Sequence, residues 1–163
     1  MAFLIQSGWA SSGGILDLLT ANLKIDEGTA PPLLMSSPSP IHPAPTNQIV
    51  QVNQDIHCHF DWTAQGWLYT LFSTPLPTAN WYCTVYVERL GGVGEGPVFG
   101  PIATPFSGTG IYSTVPPIII PAGTLSVGVY KIVCTITAKH NSGTPLPVAA
   151  FDEGMYIQVY QTV

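Results

Sequence analysis

The sequence predicts an all-β protein, an antiparallel β-sandwich of about seven or eight strands that follows an N-terminal arm. From residue 48 onward, apolar and polar residues alternate in short runs, which is the period of a strand with one buried face. Segments rich in Gly, Pro, Ser and Asn separate these runs and predict turns. The 163 residues suit one domain, with an arm over residues 1–47 and a sandwich domain over residues 48–163.

The first part of the arm predicts a short strand and a short helix. The segment AFLIQ has the composition of a strand, and a polar Ser/Gly stretch follows it. In GILDLLTANLKI, the apolar residues Ile15, Leu18 and Leu19 recur at helical spacing. We therefore expect one helix over residues 14–23.

The second part of the arm, residues 28–47, contains six of the 16 prolines. Proline removes a backbone donor and biases the preceding residue toward extended geometry, so a helix or a central strand is excluded there. Such a segment cannot bury large apolar side chains alone, and we expect the arm to dock on a neighbouring subunit or, alternatively, on its own domain. The arm residues predicted to form this interface are Phe3, Leu4, Ile5, Trp9, Leu18, Leu19, Leu33 and Leu34.

Two long strands are predicted within the sandwich domain. NWYCTVYVERL places Cys83 and Val85 on the buried side, and GVYKIVCTITA does the same for Ile132 and Cys134. Shorter strands are expected at QIVQVN, IHCHFDW, GWLYTLF, GIYSTV, PIIIP and GMYIQVYQ. The segment GGVGEG between Gly91 and Gly96 predicts a hairpin connection, because no helix signal follows it as a phosphate-binding loop would require.

The segment IIIPAGTLSVGVYKIVCTITA, residues 118–138, resembles the end of many immunoglobulin-like domains. In those domains a Pro/Gly turn leads through Gly-x-Tyr into a long alternating strand. The resemblance implies an immunoglobulin-like β-sandwich with Tyr130 at the position of a tyrosine corner. Cys134 follows Tyr130 by four residues rather than two, so the antibody-type pattern is not met. An architecture of this kind implies no function.

Charge is unusually scarce in this chain. Charged residues make up 8%, against about 25% in ordinary soluble domains. Four Lys and Arg against nine Asp and Glu provide no basic stripe, so binding to nucleic acid or to an anionic membrane surface is not expected. Low charge favours a surface that other protein subunits cover, in a homo-oligomer or a larger assembly. Without a recognisable signal peptide or a long apolar span, we expect a cytoplasmic or particle-associated protein.

The segment DIHCHFDW at residues 55–62 is the strongest candidate for a metal site. In a strand, His57, His59 and Asp61 share one face, and His-x-His is a known ligand spacing. A closed zinc site needs four ligands, however, and a catalytic site needs three and a water molecule. We therefore interpret the segment as strand patterning and predict neither a bound metal nor a cofactor, which elemental analysis of the purified protein would check.

The remaining chemistry points away from an enzyme. Cys58, Cys83 and Cys134 lie in apolar alternating runs and are expected to be buried free thiols, with one disulfide between two of them as the alternative. No nucleophile elbow or HExxH segment is present. We expect a non-enzymatic structural or assembly subunit. The alternative is a carbohydrate-binding, lectin-like module, whose stacking residues would be Trp67, Tyr69, Tyr82 and Tyr86.

Overall fold

The computed structural model describes residues 4–7, 17–27, 49–66, 71, 78–92, 96–107 and 110–162. The elements with defined bounds are β1 (Leu4–Ser7), β2 (Asp17–Glu27), β3 (Ile49–Gln51), β4 (Ile56–Gln65), β5 (Ala79–Arg89), β6 (Val98–Pro105), β7 (Ile111–Ser113), β8 (Ile118–Ile120), β9 (Gly128–His140) and β10 (Pro145–Tyr160). Every one of them is a strand, which confirms the prediction of an all-β fold. No helix within the described ranges is long and apolar enough to cross a membrane.

The strands form two sheets. The larger sheet has the order β1-β10-β9-β5-β6, and β3 also pairs with β10. The smaller sheet has the order β2-β4-β7, with β8 pairing with another part of β4. Among the described pairings, only that of β3 with β10 is parallel. Antiparallel sheets can face solvent on one side, and alternation along each strand then separates a buried face from an outer one.

The core lies between the inward faces of the two sheets. Along β5 and β9 nearly every second residue is buried, including Val85 and Ile132, as the sequence predicts. From the smaller sheet, β4 contributes Phe60 and Trp62, which are 0% and 1% exposed. The predicted strand GWLYTLF lies mostly outside the described residues.

An aromatic cluster joins the two sheets. Trp81 of β5 stacks on Phe106 with ring centroids 4.7 Å apart, and Trp62 of β4 stacks on Tyr112 at 5.2 Å. The two tryptophans meet edge to face at 6.2 Å, a favourable arrangement for aromatic rings. Because Trp62 and Trp81 belong to different sheets, this contact connects the sheets directly.

The predicted helix over residues 14–23 is wrong from residue 17 onward, because β2 occupies residues 17–27; residues 14–16 lie outside the described residues. β2 pairs along its length with β4, from Asp17 opposite Gln65 to Glu27 opposite Ile56. A lone helix of about ten residues is marginal in water. The neighbouring strand offers backbone hydrogen bonds and a place in the core, and this long-range pairing overrides the local spacing.

Tyr130, near the start of β9, is held by a hydrogen bond from its hydroxyl group. Its hydroxyl group donates a hydrogen bond of 2.8 Å to the backbone carbonyl oxygen of Ser126. The ring is 4% exposed, so the hydroxyl is held at the end of a buried side chain. The bond ties the turn before β9 to the start of that strand.

Candidate functional site

The outward side of the larger sheet carries the most conspicuous surface. Alternation along β5 turns Tyr82, Thr84, Tyr86 and Glu88 away from the core. Their cross-strand partners share that side. We call this surface the outer face and define it by the outward residues Tyr82, Thr84, Tyr86, Glu88, Val98, Val129, Lys131, Val133, Thr135 and Tyr156.

The middle of the outer face is apolar. Tyr86 lies directly between Val98 of β6 and Val133 of β9 in the strand register. Val98 is 54% exposed and Tyr86 is 39% exposed. Three apolar side chains from three adjacent strands therefore form one continuous row, in which Val98 and Tyr86 are exposed and Val133 is half-buried.

A second apolar region lies toward one end of the sheet. Val129 is the partner of Gln158, and Gln158 is the partner of Ile49. Ile49 is 59% exposed and Val129 is 39% exposed. The backbone amide of Leu90 donates a hydrogen bond to the Val129 carbonyl oxygen, so Leu90, which is 51% exposed, lies beside them. Half of the twelve exposed large apolar residues in the described part of the chain thus belong to this side of the protein: Ile49, Tyr86, Leu90, Val98, Val129 and Tyr156.

The described residues of the outer face include few charges. Glu88 and Lys131 are direct cross-strand partners, and Tyr156 follows Lys131 in the same row. At the opposite end, the ammonium group of Lys139 lies 5.2 Å from the centre of the Tyr82 ring, a cation–π distance. Among the described side chains at the centre of the face, the acidic Glu88 and the basic Lys131 therefore stand side by side.

The histidine strand is more enclosed than alternation predicts. His57 and His59 project from the outward side of β4, yet they are only 8% and 9% exposed. Their rings meet edge to face with centroids 6.4 Å apart. A half-buried strand would leave its polar side in solvent, but both sides of β4 are buried from Ile56 to Phe60.

The structure brings the two histidines together but does not add a third ligand. Asp61 continues the same side of β4 and is partly exposed, opposite Asn22 of β2 and Ser113 of β7. In the part of the chain that the structure describes, no group of three or more His, Cys, Asp and Glu side chains could hold a metal ion. The absence of a bound metal stays a prediction.

The three cysteines are free and buried, as the sequence predicts. Burial raises the pKa of the Cys58 thiol from its ordinary value of 9.0 to about 12. Burial also raises the pKa of Cys83. These thiols stay protonated at neutral pH, and a protonated thiol is neither a nucleophile nor a metal ligand.

The glycine-rich segment connects β5 to β6, as predicted, and residues 93–95 lie outside the described residues. At Gly96 a Cβ atom would collide with the backbone carbonyl group of Val87. Glycine is required there because the two strands approach each other closely, and this gives the segment a structural role.

The residues predicted as an arm interface lie partly in the sheets. Leu4 and Ile5 belong to β1, which pairs with β10 of the same chain, and Leu18 and Leu19 belong to β2. The others lie outside the described residues: Phe3, Trp9, Leu33 and Leu34. Deleting residues 1–47 would remove two strands of the described sheets, and the role of these residues between subunits stays a prediction.

The carbohydrate alternative relied on four aromatic residues. Tyr82 and Tyr86 lie together on the outer face, two outward positions apart on β5. Trp67 and Tyr69 are outside the described part of the chain. Sequence reasoning identified these two tyrosines but missed the residues beside them, Val98, Val133 and Lys131. Alternation alone signals their outward direction, whereas only the register shows that they are neighbours.

Comparisons of the chain with protein-family models, with curated proteins and with solved structures found no match. The outer face, with its apolar row and its cross-strand pair of Glu88 and Lys131, is therefore the feature from which function is inferred.

Proposed function

We propose that this protein is a non-enzymatic structural or assembly subunit that packs against other protein subunits through the outer face. The observation that carries the proposal is the row of Val98, Tyr86 and Val133, which crosses three strands of one sheet and exposes Val98 and Tyr86 to solvent. Monomeric soluble proteins rarely expose large contiguous apolar surfaces, and such surfaces usually mark interaction sites.

The composition of the outer face supports the same proposal. Interface centres are depleted in charged residues and enriched in aromatic ones, especially tyrosine. Three tyrosines, Tyr82, Tyr86 and Tyr156, stand on the outer face, and among the described side chains of its central part Glu88 and Lys131 carry the charges. Covering this face in an assembly would also account for a chain with only 8% charged residues.

We infer that the scaffold beneath this face is an immunoglobulin-like sandwich. The order β10-β9-β5-β6 in the larger sheet corresponds to the G-F-C-C′ order of variable-type domains, with β4 in the position of strand B. The hydroxyl of Tyr130 bonds back to Ser126, in the manner of a tyrosine corner. Trp81 is buried on the strand that corresponds to C, and the free thiols of Cys58 and Cys134 stand on the strands that correspond to B and F.

The N-terminal arm is proposed to contribute to the same assembly. β1 forms an edge of the larger sheet, so Leu4 and Ile5 lie on the sheet that carries the outer face. Because β1 pairs with β10 of its own chain, it would reach a neighbouring subunit through its other edge or by strand exchange.

Light scattering on the protein after size-exclusion chromatography tests the proposal. We expect a defined oligomer for the unaltered chain, and a shift to the monomer for Tyr86→Lys, because a charge would be buried in the apolar row. Ile111→Lys is the matched control, since Ile111 is 45% exposed but belongs to the smaller sheet, and this variant should keep the oligomer. Circular dichroism checks that both variants are folded.

Two results would contradict the proposal. An unaltered chain that is monomeric at micromolar concentrations would remove its basis and favour the carbohydrate-binding alternative. Glycan binding that is lost in Tyr82→Ala would then identify the outer face as a stacking surface. An oligomer that survives Tyr86→Lys would show that subunits meet elsewhere.

A further inference from the structure

We infer, on the basis of the proposed function, that the partner of the outer face is a second copy of this chain. The two copies pack face to face about a two-fold axis that runs between β5 and β9, so that Glu88 of each copy faces Lys131 of the other. The inference rests on which residues are cross-strand partners at the centre of the outer face.

The register of β5 and β9 makes this surface complementary to itself. A two-fold axis parallel to these strands, and midway between them, exchanges the two columns while keeping each row in place. Residues that are partners within one copy then face each other between copies. Glu88 and Lys131 are such partners, and so are Tyr86 and Val133. Opposite charges therefore meet twice, on either side of the axis, and each tyrosine covers a valine of the other copy.

The usual crossing angle of packed sheets is compatible with these contacts. Aligned sheets cross at about 30°, and residues two positions apart on a strand are separated by about 7 Å. With the strands crossing at the row of Tyr86 and Val133, the next outward row is displaced sideways by about 4 Å. Glu88 and Lys131 occupy that row, and their long side chains span such a displacement.

The size of the surface suits a stable dimer. β5 pairs with β9 over 11 residues, and β6 and β10 flank them. Four strands about 4.8 Å apart, with a rise of about 3.4 Å per residue, cover roughly 700 Å² of each copy. Standard protein interfaces bury about 800 Å² on each partner. A different protein would need its own pair of charges to match Glu88 and Lys131, whereas a second copy of this chain already carries that pair.

Charge reversal at the two positions tests the arrangement. Glu88→Lys alone places two lysines opposite each other in every pair of like copies, and Lys131→Glu alone does the same with two glutamates. We expect each variant by itself to dimerise at least about tenfold more weakly than the unaltered chain. The defect should shrink in about 1 M salt, where charges are screened over a few ångströms.

Mixing the two variants isolates the contact between copies. In a mixed dimer, the lysine introduced by Glu88→Lys would face the glutamate introduced by Lys131→Glu. The native Lys131 of the first variant would face the native Glu88 of the second, so both contacts become attractive again. A 1:1 mixture, with one variant isotope-labelled, should form mixed dimers by native mass spectrometry with an affinity close to that of the unaltered chain. Charge pairing within one copy cannot explain this result, because each variant still carries like charges at positions 88 and 131 on its own neighbouring strands.

A control with the same change in net charge excludes long-range attraction. The double variants Ile111→Lys/Ile119→Lys and Ile111→Glu/Ile119→Glu alter exposed positions of the smaller sheet. Each should dimerise like the unaltered chain, and their mixture should show no preference for mixed dimers. A comparable preference in this control would overturn the inference, because overall charge would then explain the pairing.

The remaining outcomes separate this inference from the proposed function. If Glu88→Lys and Lys131→Glu dimerise as well as the unaltered chain, while Tyr86→Lys does not, the outer face is the interface but the two-fold arrangement is wrong. If the unaltered chain is monomeric, both the arrangement and the assembly role are refuted. Melting temperatures of the single variants confirm that each is folded at the concentration used.

Discussion

Replacing Ile25 with alanine tests whether the arm supplies part of the core. Ile25 lies in β2, opposite Cys58, and is 0% exposed. The substitution removes three carbon atoms, worth about 0.8 kcal/mol each in transfer free energy, and leaves a cavity beside β4. We expect the free energy of unfolding to fall by about 2–5 kcal/mol. For a domain of this size, that corresponds to a drop in melting temperature of roughly 4–20 °C.

Urea denaturation followed by tryptophan fluorescence measures this loss. The matched control is Ile119→Ala, because Ile119 belongs to the same sheet through β8 but is 43% exposed, and its removal should cost less than about 0.5 kcal/mol. The denaturant slope should stay the same in both variants. A loss below about 1 kcal/mol for Ile25→Ala would show that β2 is not part of the core, and the arm would then have to be placed elsewhere.

Two further predictions concern buried polar groups. Tyr130→Phe removes the hydroxyl that donates to the Ser126 carbonyl oxygen, so unfolding should become easier by about 0.5–1.5 kcal/mol in thermal or chemical denaturation, and no change would argue against a tyrosine corner. The thiol of Cys58 should resist a thiol reagent at pH 8 in the native protein and react fully after denaturation, since its pKa is raised to about 12. The pKa of this thiol is 9.0 when it is exposed and about 12 in the folded protein. Between these values the unfolded state loses the proton while the folded state keeps it, so the unaltered protein should become less stable as the pH rises from 9.0 toward 12. Cys58→Ala should lose less stability across the same interval, because it has no thiol to titrate. Rapid labelling of the native protein, or equal losses in both proteins, would show that Cys58 is accessible.

The strands that carry the candidate face follow closely from the sequence. In β5 and β9, buried apolar residues recur at nearly every second position, and the structure buries Val85 and Ile132 as the period requires. This agreement has a local cause. Successive side chains of any extended chain point to opposite sides, so the inward and outward sets are defined before partners are known.

The predictions that were wrong concern segments whose environment depends on contacts with distant parts of the chain. Leu18 and Leu19 have a spacing that is compatible with a helix, yet pairing with β4 makes residues 17–27 a strand. Alternation predicts that the polar side of β4 is exposed, yet His57 and His59 are buried there. In both cases local periodicity predicted the wrong environment, because it contains no information on which other segment packs against a strand.

The sequence by itself determined the chemical character of this protein: its low charge, its all-β pattern and the residues that point outward from β5. Only the tertiary structure decided that Tyr86 has Val98 and Val133 as neighbours and that Glu88 stands beside Lys131. The physical reason is that side-chain direction follows from the geometry of a single strand, whereas strand order and register are set by hydrogen bonds and packing between segments that are far apart in the chain.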